Sequence, residues 1–238
     1  MFWLTLPPPG PAGTAPSPRQ RTAFPAVGAQ VAAPGAAEVW LVPDLIVIAG
    51  PNGAGKSTAA PAILRDFLGV RDFVNADTVA LGLSGFSPDT AAVAAGRVVL
   101  QRIQGLISEH RDFALESTLS GRSLATSLRI AIQEGYAVHI VYFWLPSAQS
   151  SVDRVMQRVR AGGHGVPATT LLRRYGRSVR NFLTLYLPLA HQWEVFENSS
   201  SRPLLVARGQ GHTVREVRQP ALWGRIQEVS LGTGKDDF

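Results

Sequence analysis

Residues 45–58, LIVIAGPNGAGKST, join an apolar strand, a glycine-rich loop and the start of a helix. Within them, Gly50, Gly55, Lys56 and Ser57 match the complete pattern G-x-x-x-x-G-K-[ST]. Glycines let the backbone curl so that successive N–H groups point at a phosphate, and the following helix adds unpaired N–H donors. The alternative is a glycine turn that only packs. We disfavour it because the apolar run supplies the strand that the motif requires.

The side chains of this loop, the P-loop (residues 50–57), have separate predicted roles. Lys56 can reach the β- and γ-phosphates of a nucleotide, and the hydroxyl of Ser57 can bind Mg²⁺. Lysine otherwise occurs only at Lys235, so a chain that uses arginine elsewhere keeps lysine here. We therefore predict ATP and Mg²⁺ as cofactors. The predicted nucleotide-binding residues are Gly50, Pro51, Asn52, Gly53, Ala54, Gly55, Lys56, Ser57 and Thr58.

A carboxylate follows the second predicted strand, at Asp77 in residues 74–78. Beside a P-loop, such a group can hold Mg²⁺ or accept the proton of a substrate hydroxyl. The alternative is that Asp77 caps the helix that follows, as aspartate often does at strand–helix turns. We predict that Asp77 is catalytic and contributes to the metal site together with Ser57.

A second polar run, residues 115–122, follows the third predicted strand. Its glutamate, hydroxyl groups and arginine suit a polyhydroxylated substrate, with Glu116 accepting hydrogen bonds from sugar hydroxyls and Arg122 meeting a phosphate. Capping of the next helix by Ser120 or Ser123 is the alternative, and it is compatible with substrate binding.

Seven arginines and no acidic residue lie between positions 154 and 193. Unopposed guanidinium groups repel each other unless an anion is present, and arginines stabilise the charge that develops in phosphoryl transfer. A solvated basic helix face is the alternative, and it must hold for some of the seven. We predict that Arg158 and Arg173 contact phosphate in catalysis and that Arg154 and Arg174 bind the nucleotide, all in a helical lid region.

The composition sets broad limits on the class of protein. A chain of 238 residues with 45% apolar residues fits one α/β domain, and the absence of cysteine excludes disulfides and thiolate metal sites. We expect a cytoplasmic protein without a membrane partner, because no apolar run approaches spanning length and the start lacks the basic region of a signal peptide. The net charge of +6 suggests acidic partners such as nucleotides.

Three regions follow from composition. Residues 1–43 contain nine of the 17 prolines and one acidic residue, Glu38, so we predict a disordered extension. The domain is predicted over residues 44–230 and a flexible tail over residues 231–238.

Strands and helices alternate along the domain, which predicts an α/β fold of the P-loop NTPase type with a parallel sheet covered by helices on both faces. Ligands of such sheets bind at the carboxyl ends of the strands, where the P-loop, Asp77 and Glu116 fall. The predicted strands are 45–48, 73–75, 113–116, 137–145 and 204–206, and the predicted helices are 57–67, 88–109, 124–134, 150–160, 169–187 and 221–229.

Taken together, these motifs resemble those of zeta-toxin-family P-loop kinases and, more narrowly, of a small bacterial branch described as predicted ABC-type ATPases. The resemblance covers residues 45–207. It is carried by GPNGAGKST at 50–58, FVNADTVA at 73–80, ALESTLSGR at 114–122, RVMQRVRAGGHGVP at 154–167, LLRRYGRSVRNF at 171–182 and ENSS at 197–200.

The resemblance implies a toxin that uses ATP and Mg²⁺ to phosphorylate a hydroxyl of UDP-N-acetylglucosamine and that a small antitoxin protein holds inactive. It implies Asp77 as the general base and Arg158 with Arg173 or Arg174 as phosphate clamps. It also implies that Glu116, Thr118 and Arg122 bind the substrate. The chain is short, and its EST-L-SGR run differs from that of the best-known members. Both departures concern the acceptor more than the kinase chemistry.

Two other functions remain open. The first is a P-loop kinase for an antibiotic, a nucleoside or a nucleic-acid hydroxyl. Nucleic acid is disfavoured because Tyr175, Phe182 and Tyr186 are expected in the core and not on a stacking surface. The second is a non-kinase ATPase of the ABC type, which is disfavoured because the sequence has no LSGGQ-like signature.

Overall fold

The computed structural model of the protein describes residues 42–67, 70, 72–83, 88–163, 165–200 and 202–232. The predicted disordered extension lies outside these ranges except for its last two residues. The predicted tail lies outside them except for its first two.

The domain contains seven strands and seven α-helices within the described ranges. The strands are β1 (Asp44–Ala49), β2 (Asp72–Asn75), β3 (Phe113–Ser117), β4 (Ala137–Trp144), β5 (Gln192–Glu197), β6 (Leu204–Gln210) and β7 (Thr213–Val217). The helices are α1 (Lys56–Phe67), α2 (Ala76–Leu83), α3 (Pro88–Ser108), α4 (Ser123–Gln133), α5 (Ala148–Arg160), α6 (Ala168–Asn181) and α7 (Pro220–Leu231). A π-helical turn, Phe182–Tyr186, and a 3₁₀ turn, Leu187–Leu189, follow α6.

All seven strands form one sheet in the order β2-β3-β1-β4-β5-β6-β7. The first five of these are parallel, and β6 and β7 add antiparallel strands at one edge. The mostly parallel sheet with its helices confirms the predicted α/β, P-loop NTPase-like fold class. The antiparallel edge was not predicted.

The connections locate the ligand-binding edge of this sheet. After β1 the chain runs through α1 to β2, whereas after β3 it runs through α4 to β4 on the other side of β1. The two connections leave in opposite directions, so a crevice opens between the carboxyl ends of β1 and β3. The P-loop follows β1, and Glu116 lies near the end of β3.

The core lies along β1 and β4. Residues 45–49 of β1 are at most 1% exposed, as expected for a central parallel strand covered on both faces. The aromatic rings of Tyr142 and Phe182 stack at 4.2 Å, which fastens the π-helical turn to β4. Tyr175, Phe182 and Tyr186 are buried, as predicted. Among the described helices, none is both long and apolar enough to cross a membrane.

Candidate active site

The P-loop begins directly after β1 at Gly50, a glycine that no other residue could replace without a shift of the neighbouring backbone. Gly50 has φ of +138°, and a Cβ atom there would lie 2.1 Å from the carbonyl oxygen of Phe143 on the neighbouring strand. The N–H of Gly50 donates to the carbonyl oxygen of Ser117 at 3.2 Å. The loop is therefore held between β4 and β3 at the crevice.

Lys56, the first residue of α1, is buried beneath the loop. Its Nζ atom donates to the carbonyl oxygen of Pro51 at 2.9 Å and lies 3.9 Å from Oε1 of Glu116. Burial lowers the pKa of Lys56, Glu116 and Asp77 act to raise it, and Arg158 lowers it further. A phosphate at the loop would restore the stability of the ammonium form, because an adjacent anion favours a buried cation.

Glu116 is in contact with the P-loop helix. Ser57 Oγ donates to its carboxylate, 2.9 Å from Oε2, and the amide of Asn75 donates to Oε2 at 2.9 Å. The register of the sheet produces this contact, since Glu116 pairs with Ile48 of β1 and with Asn75 of β2. The role of Asn75 was not predicted from the sequence.

These oxygen atoms fit a magnesium site. A hard cation prefers hydroxyl, carboxylate and phosphate oxygens and keeps several waters, so few protein ligands are needed. In the described part of the chain, no group of three or more His, Cys, Asp or Glu residues could hold a metal ion. Ser57 and Glu116 could hold Mg²⁺ together with a nucleotide, and the metal contact predicted for Asp77 stays a prediction.

Asp77 does not cap a helix. Asn75 takes that role for α2, because its Oδ1 atom accepts hydrogen bonds from the N–H groups of Asp77 at 2.8 Å and Thr78 at 3.3 Å. The carboxylate of Asp77 is exposed and lines the cavity in front of the P-loop. Helix capping, the alternative role for Asp77, is therefore performed by Asn75.

A cavity of about 690 Å³ opens at the crevice and brings most of the predicted residues together. Its polar lining comes from the P-loop, β3, α5 and α6. Much of its aliphatic lining comes from α3, with Ala95, Val99, Leu100 and Ile103. The predicted residues that line the cavity are Asn52, Gly53, Gly55, Lys56, Ser57, Thr58, Asp77, Glu116, Thr118, Arg154, Arg158 and Arg174.

Among the predicted residues, Gly50, Pro51 and Ala54 of the P-loop do not line the cavity, and two predicted arginine side chains also lie outside it. Arg173 is exposed and does not line the cavity, whereas its neighbour Arg174 does. Arg122 is also exposed and outside the lining, at the N-terminus of α4. Their predicted contacts with phosphate and substrate remain predictions. Neither Ser120 nor Ser123 caps α4, because Arg122 is the N-cap residue and no side-chain hydrogen bond caps the helix.

The loop between β3 and α4 carries Thr118 and is held by α6. Thr118 Oγ1 and Ser120 Oγ lie 2.8 Å apart, so the two hydroxyls share a hydrogen bond. Ser178 donates to the carbonyl oxygen of Thr118 at 2.5 Å, and Asn181 donates to that of Leu119 at 2.8 Å. Leu119 has φ of +53°, an uncommon conformation for a residue with a side chain. These contacts keep the Thr118 hydroxyl at the cavity.

The chain is similar in sequence to known proteins. A family model described as an AAA domain matches residues 45–178, more than half of the chain. The chain belongs to this AAA domain family. A protein of Haemophilus influenzae described as uncharacterised is 30% identical over 141 residues, which are 58% of this chain and 97% of the relative.

Solved structures share the fold. A chain from the crystal structure of AvrRxo1-ORF1:AvrRxo1-ORF2 with sulphate ions superposes with a TM-score of 0.65 and 18% identity, and the same complex with ATP gives 0.63 and 18%. Each match covers 82% of this chain and 66% of the other, so this chain spans just under two thirds of their length. The PezAT chromosomal toxin–antitoxin system of Streptococcus pneumoniae gives 0.56 and 16%, covering 80% and 79%.

Proposed function

We propose that this protein is an ATP- and Mg²⁺-dependent kinase that transfers the γ-phosphoryl group of ATP to a hydroxyl of a UDP-sugar such as UDP-N-acetylglucosamine. The observation that carries the proposal is the position of Asp77. Its carboxylate lines the same cavity as Lys56 and Ser57, and Asn75 performs the capping that would otherwise occupy it. A carboxylate facing a P-loop across an open cavity suits a general base acting on an alcohol.

The chemistry follows from these positions. The acceptor oxygen attacks the γ-phosphorus, and its proton passes to Asp77. The bond between the γ-phosphorus and the bridging oxygen breaks, and ADP leaves. Lys56 and the P-loop N–H groups hold the phosphates, while Arg158 and Arg174 offset the charge on the transferring group. Mg²⁺, when bound through Ser57 and Glu116, would neutralise charge on the β- and γ-phosphates.

We further propose that the protein is the toxin of a toxin–antitoxin pair, with a small antitoxin as partner. The support is the zeta-toxin-like motifs and the similarity in fold to PezAT, which is described as a toxin–antitoxin system. Growth arrest on expression, abolished by Asp77→Ala, is the expected result. A culture that grows equally well with either form would contradict the toxin proposal and leave the kinase proposal standing.

One observation favours a second candidate, a kinase for an acceptor with an apolar body. Within the described part of the cavity lining, α3 contributes the aliphatic residues Ala95, Val99, Leu100 and Ile103, and no aromatic ring is present on which a sugar could stack. An antibiotic or a nucleoside that carries a hydroxyl group would bury more apolar surface against these residues.

The deciding experiment is an acceptor assay. The protein is incubated with ATP, Mg²⁺ and UDP-N-acetylglucosamine, and the products are examined by mass spectrometry for an added phosphoryl group. We expect the product with the wild type and with Asp153→Asn, a matched change at an exposed aspartate of α5. Asp77→Asn should lower the rate by about 10²- to 10⁴-fold while ATP still binds.

The outcomes separate the candidates. ATP turnover without a modified sugar nucleotide would exclude the UDP-sugar and direct the screen to antibiotics and nucleosides. Product formation by Asp77→Asn at the wild-type rate would overturn the proposed role of Asp77 but would still support UDP-N-acetylglucosamine as the acceptor.

A further inference from the structure

We propose that Asn198 is a positioning residue that sets the shape of the P-loop from its outer side. The proposal rests on the nucleotide-binding part of the function proposed above and is independent of the acceptor. Asn198 lies in residues 197–200, ENSS, which begin at the last residue of β5 and have no chemical role predicted from the sequence. The side chain of Asn198 contacts the P-loop.

A P-loop has two sides with opposite requirements. Its N–H groups must point inward at a phosphate, so its carbonyl oxygens point outward and need donors of their own. Three consecutive carbonyl oxygens here accept hydrogen bonds from side chains outside the loop. The pairs are Ser151 Oγ with Asn52 O at 2.5 Å, Arg154 with Gly53 O at 3.4 Å, and Asn198 Nδ2 with Ala54 O at 2.7 Å.

Asn198 is itself held in place by the sheet. Its backbone N–H donates to the carbonyl oxygen of Trp144, the last residue of β4, at 3.0 Å. The buried carboxylate of Glu197 accepts a hydrogen bond from the N–H of Ser199 at 2.7 Å. The amide of Asn198 is therefore fixed relative to the strand beside the P-loop.

The fit between Asn198 and the P-loop depends on a glycine of the motif. A Cβ atom at Gly55 would lie 2.6 Å from Asn198 Nδ2, so the amide occupies the space that the missing side chain leaves. Gly55 also has φ of +82°, which favours glycine. The motif glycine thus makes room for the donor to Ala54 as well as for the turn.

Arg154 acts with Asn198 in this arrangement. One of its terminal nitrogens donates to Gly53 O, and the other donates to Ser199 O at 2.8 Å. The guanidinium group therefore joins the P-loop to the segment that carries Asn198. These two hydrogen bonds favour a structural role for Arg154, in which it supports the P-loop, over the phosphate contact predicted from the sequence.

The test measures two ligands on folded protein. The dissociation constants of Mg²⁺–ATP and of inorganic tripolyphosphate are determined for the wild type, Asn198→Ala and Asn198→Asp. Asn198→Asp keeps the shape of the side chain but places an acceptor opposite Ala54 O. Ser200→Ala is the control, because Ser200 lies in the same segment and its hydroxyl donates to Arg202 O, outside the P-loop.

We expect Asn198→Ala to raise the dissociation constants of both ligands by the same factor, about 10-fold, because one hydrogen bond of the loop is lost. Asn198→Asp should raise both dissociation constants further, and Ser200→Ala should change neither dissociation constant by more than about twofold. Equal weakening is the signature of a loop effect, since tripolyphosphate has no base to contact. Thermal unfolding midpoints show that the variants compared are folded, and Asn198→Ala serves alone if Asn198→Asp does not fold.

Two results would overturn the proposal. Unchanged affinities in the Asn198 variants would show that the loop keeps its shape without this donor. Weakened ATP binding with unchanged tripolyphosphate binding would make Asn198 a contact to the nucleoside part instead. A wild type that binds neither ligand would overturn nucleotide binding itself, which is a different failure.

Discussion

Ser57 Oγ donates a hydrogen bond to the carboxylate of Glu116 and lies 2.9 Å from its Oε2 atom. This contact joins the first turn of α1 to the end of β3, two segments 59 residues apart in sequence. The sequence predicts a metal ligand in Ser57 and a substrate-binding residue in Glu116. Their contact leads us to expect that both act at the metal.

Glu116→Gln should raise the Mg²⁺ concentration needed for half-maximal ATP turnover by about 10- to 100-fold, because a carboxylate that holds or orients a metal is replaced by a neutral amide. The measurement is a Mg²⁺ titration of ADP release. Glu109→Gln is the matched control, at an exposed glutamate paired with Arg111 on the surface. An unchanged Mg²⁺ requirement with a raised KM for the acceptor would show that Glu116 binds the substrate and not the metal.

Lys56→Met should leave the ligand-free protein as stable as the wild type or more stable at pH 7, while nucleotide binding is lost. The reason is the lowered pKa of Lys56, which means that burial of the ammonium group costs more than Glu116 and Asp77 recover. The folded state releases this proton at a lower pH than the unfolded chain, so this contribution to stability rises with pH through that window. Urea unfolding at several pH values measures it. A clear loss of stability at pH 7 would contradict this expectation.

Gly96→Ala and Gly105→Ala form a matched pair on α3. Among the described residues, none would lie within 4 Å of a Cβ atom at either position, so each change should stabilise the helix by about 0.5–1 kcal/mol. Gly96 lines the cavity and Gly105 does not. Only Gly96→Ala should therefore change the KM for the acceptor, with ATP affinity unaltered. Equal kinetic effects from both changes would exclude α3 from the acceptor site.

The stability of the domain should fall as pH rises from about 10 to about 12, in part because of Tyr136. Burial raises the pKa of Tyr136 to about 12, whereas the phenol of an unfolded chain ionises near its ordinary value of about 10. Between these values the unfolded chain loses a proton that the folded state keeps, so unfolding is favoured.

Tyr136→Phe should reduce this alkaline dependence in urea titrations. At pH 8 the variant should show only the loss of the hydroxyl, which lies 2.9 Å from the carbonyl oxygen of Leu106. An identical alkaline decline in the variant would exclude Tyr136 as its source.

The sequence predicted the elements that carry the site more fully than the rest of the fold. Short apolar strands followed by polar residues placed the P-loop, Asp77 and Glu116 at one edge, because parallel strands end together. β5 was missed although its burial alternates, with Trp193, Val195 and Glu197 facing inward. Two of its polar positions face outward, and that made the strand resemble a loop.

The features of the fold and the site that the sequence did not predict depend on contacts between distant segments. β7 is largely exposed and exists through its pairing with β6, which no local pattern encodes. Helical spacing alone could not choose between Arg173 and Arg174, because adjacent helical residues point about 100° apart and the cavity lies to one side of α6. Asn75 and Asn198 act through contacts with residues whose positions only the folded chain defines, Glu116 and Ala54, so their types alone did not reveal these roles.

Ser178 of α6 lies 2.9 Å from the hydroxyl of Tyr142 on β4 and donates to the carbonyl oxygen of Thr118. Arg174 stands one helical turn earlier on the same helix. A swing of α6 that withdraws this guanidinium group would therefore pull on the backbone beneath the Thr118 hydroxyl. In the proposed kinase, a movement of α6 would therefore act on the nucleotide side and on the acceptor side of the cavity together, through the contacts of Ser178.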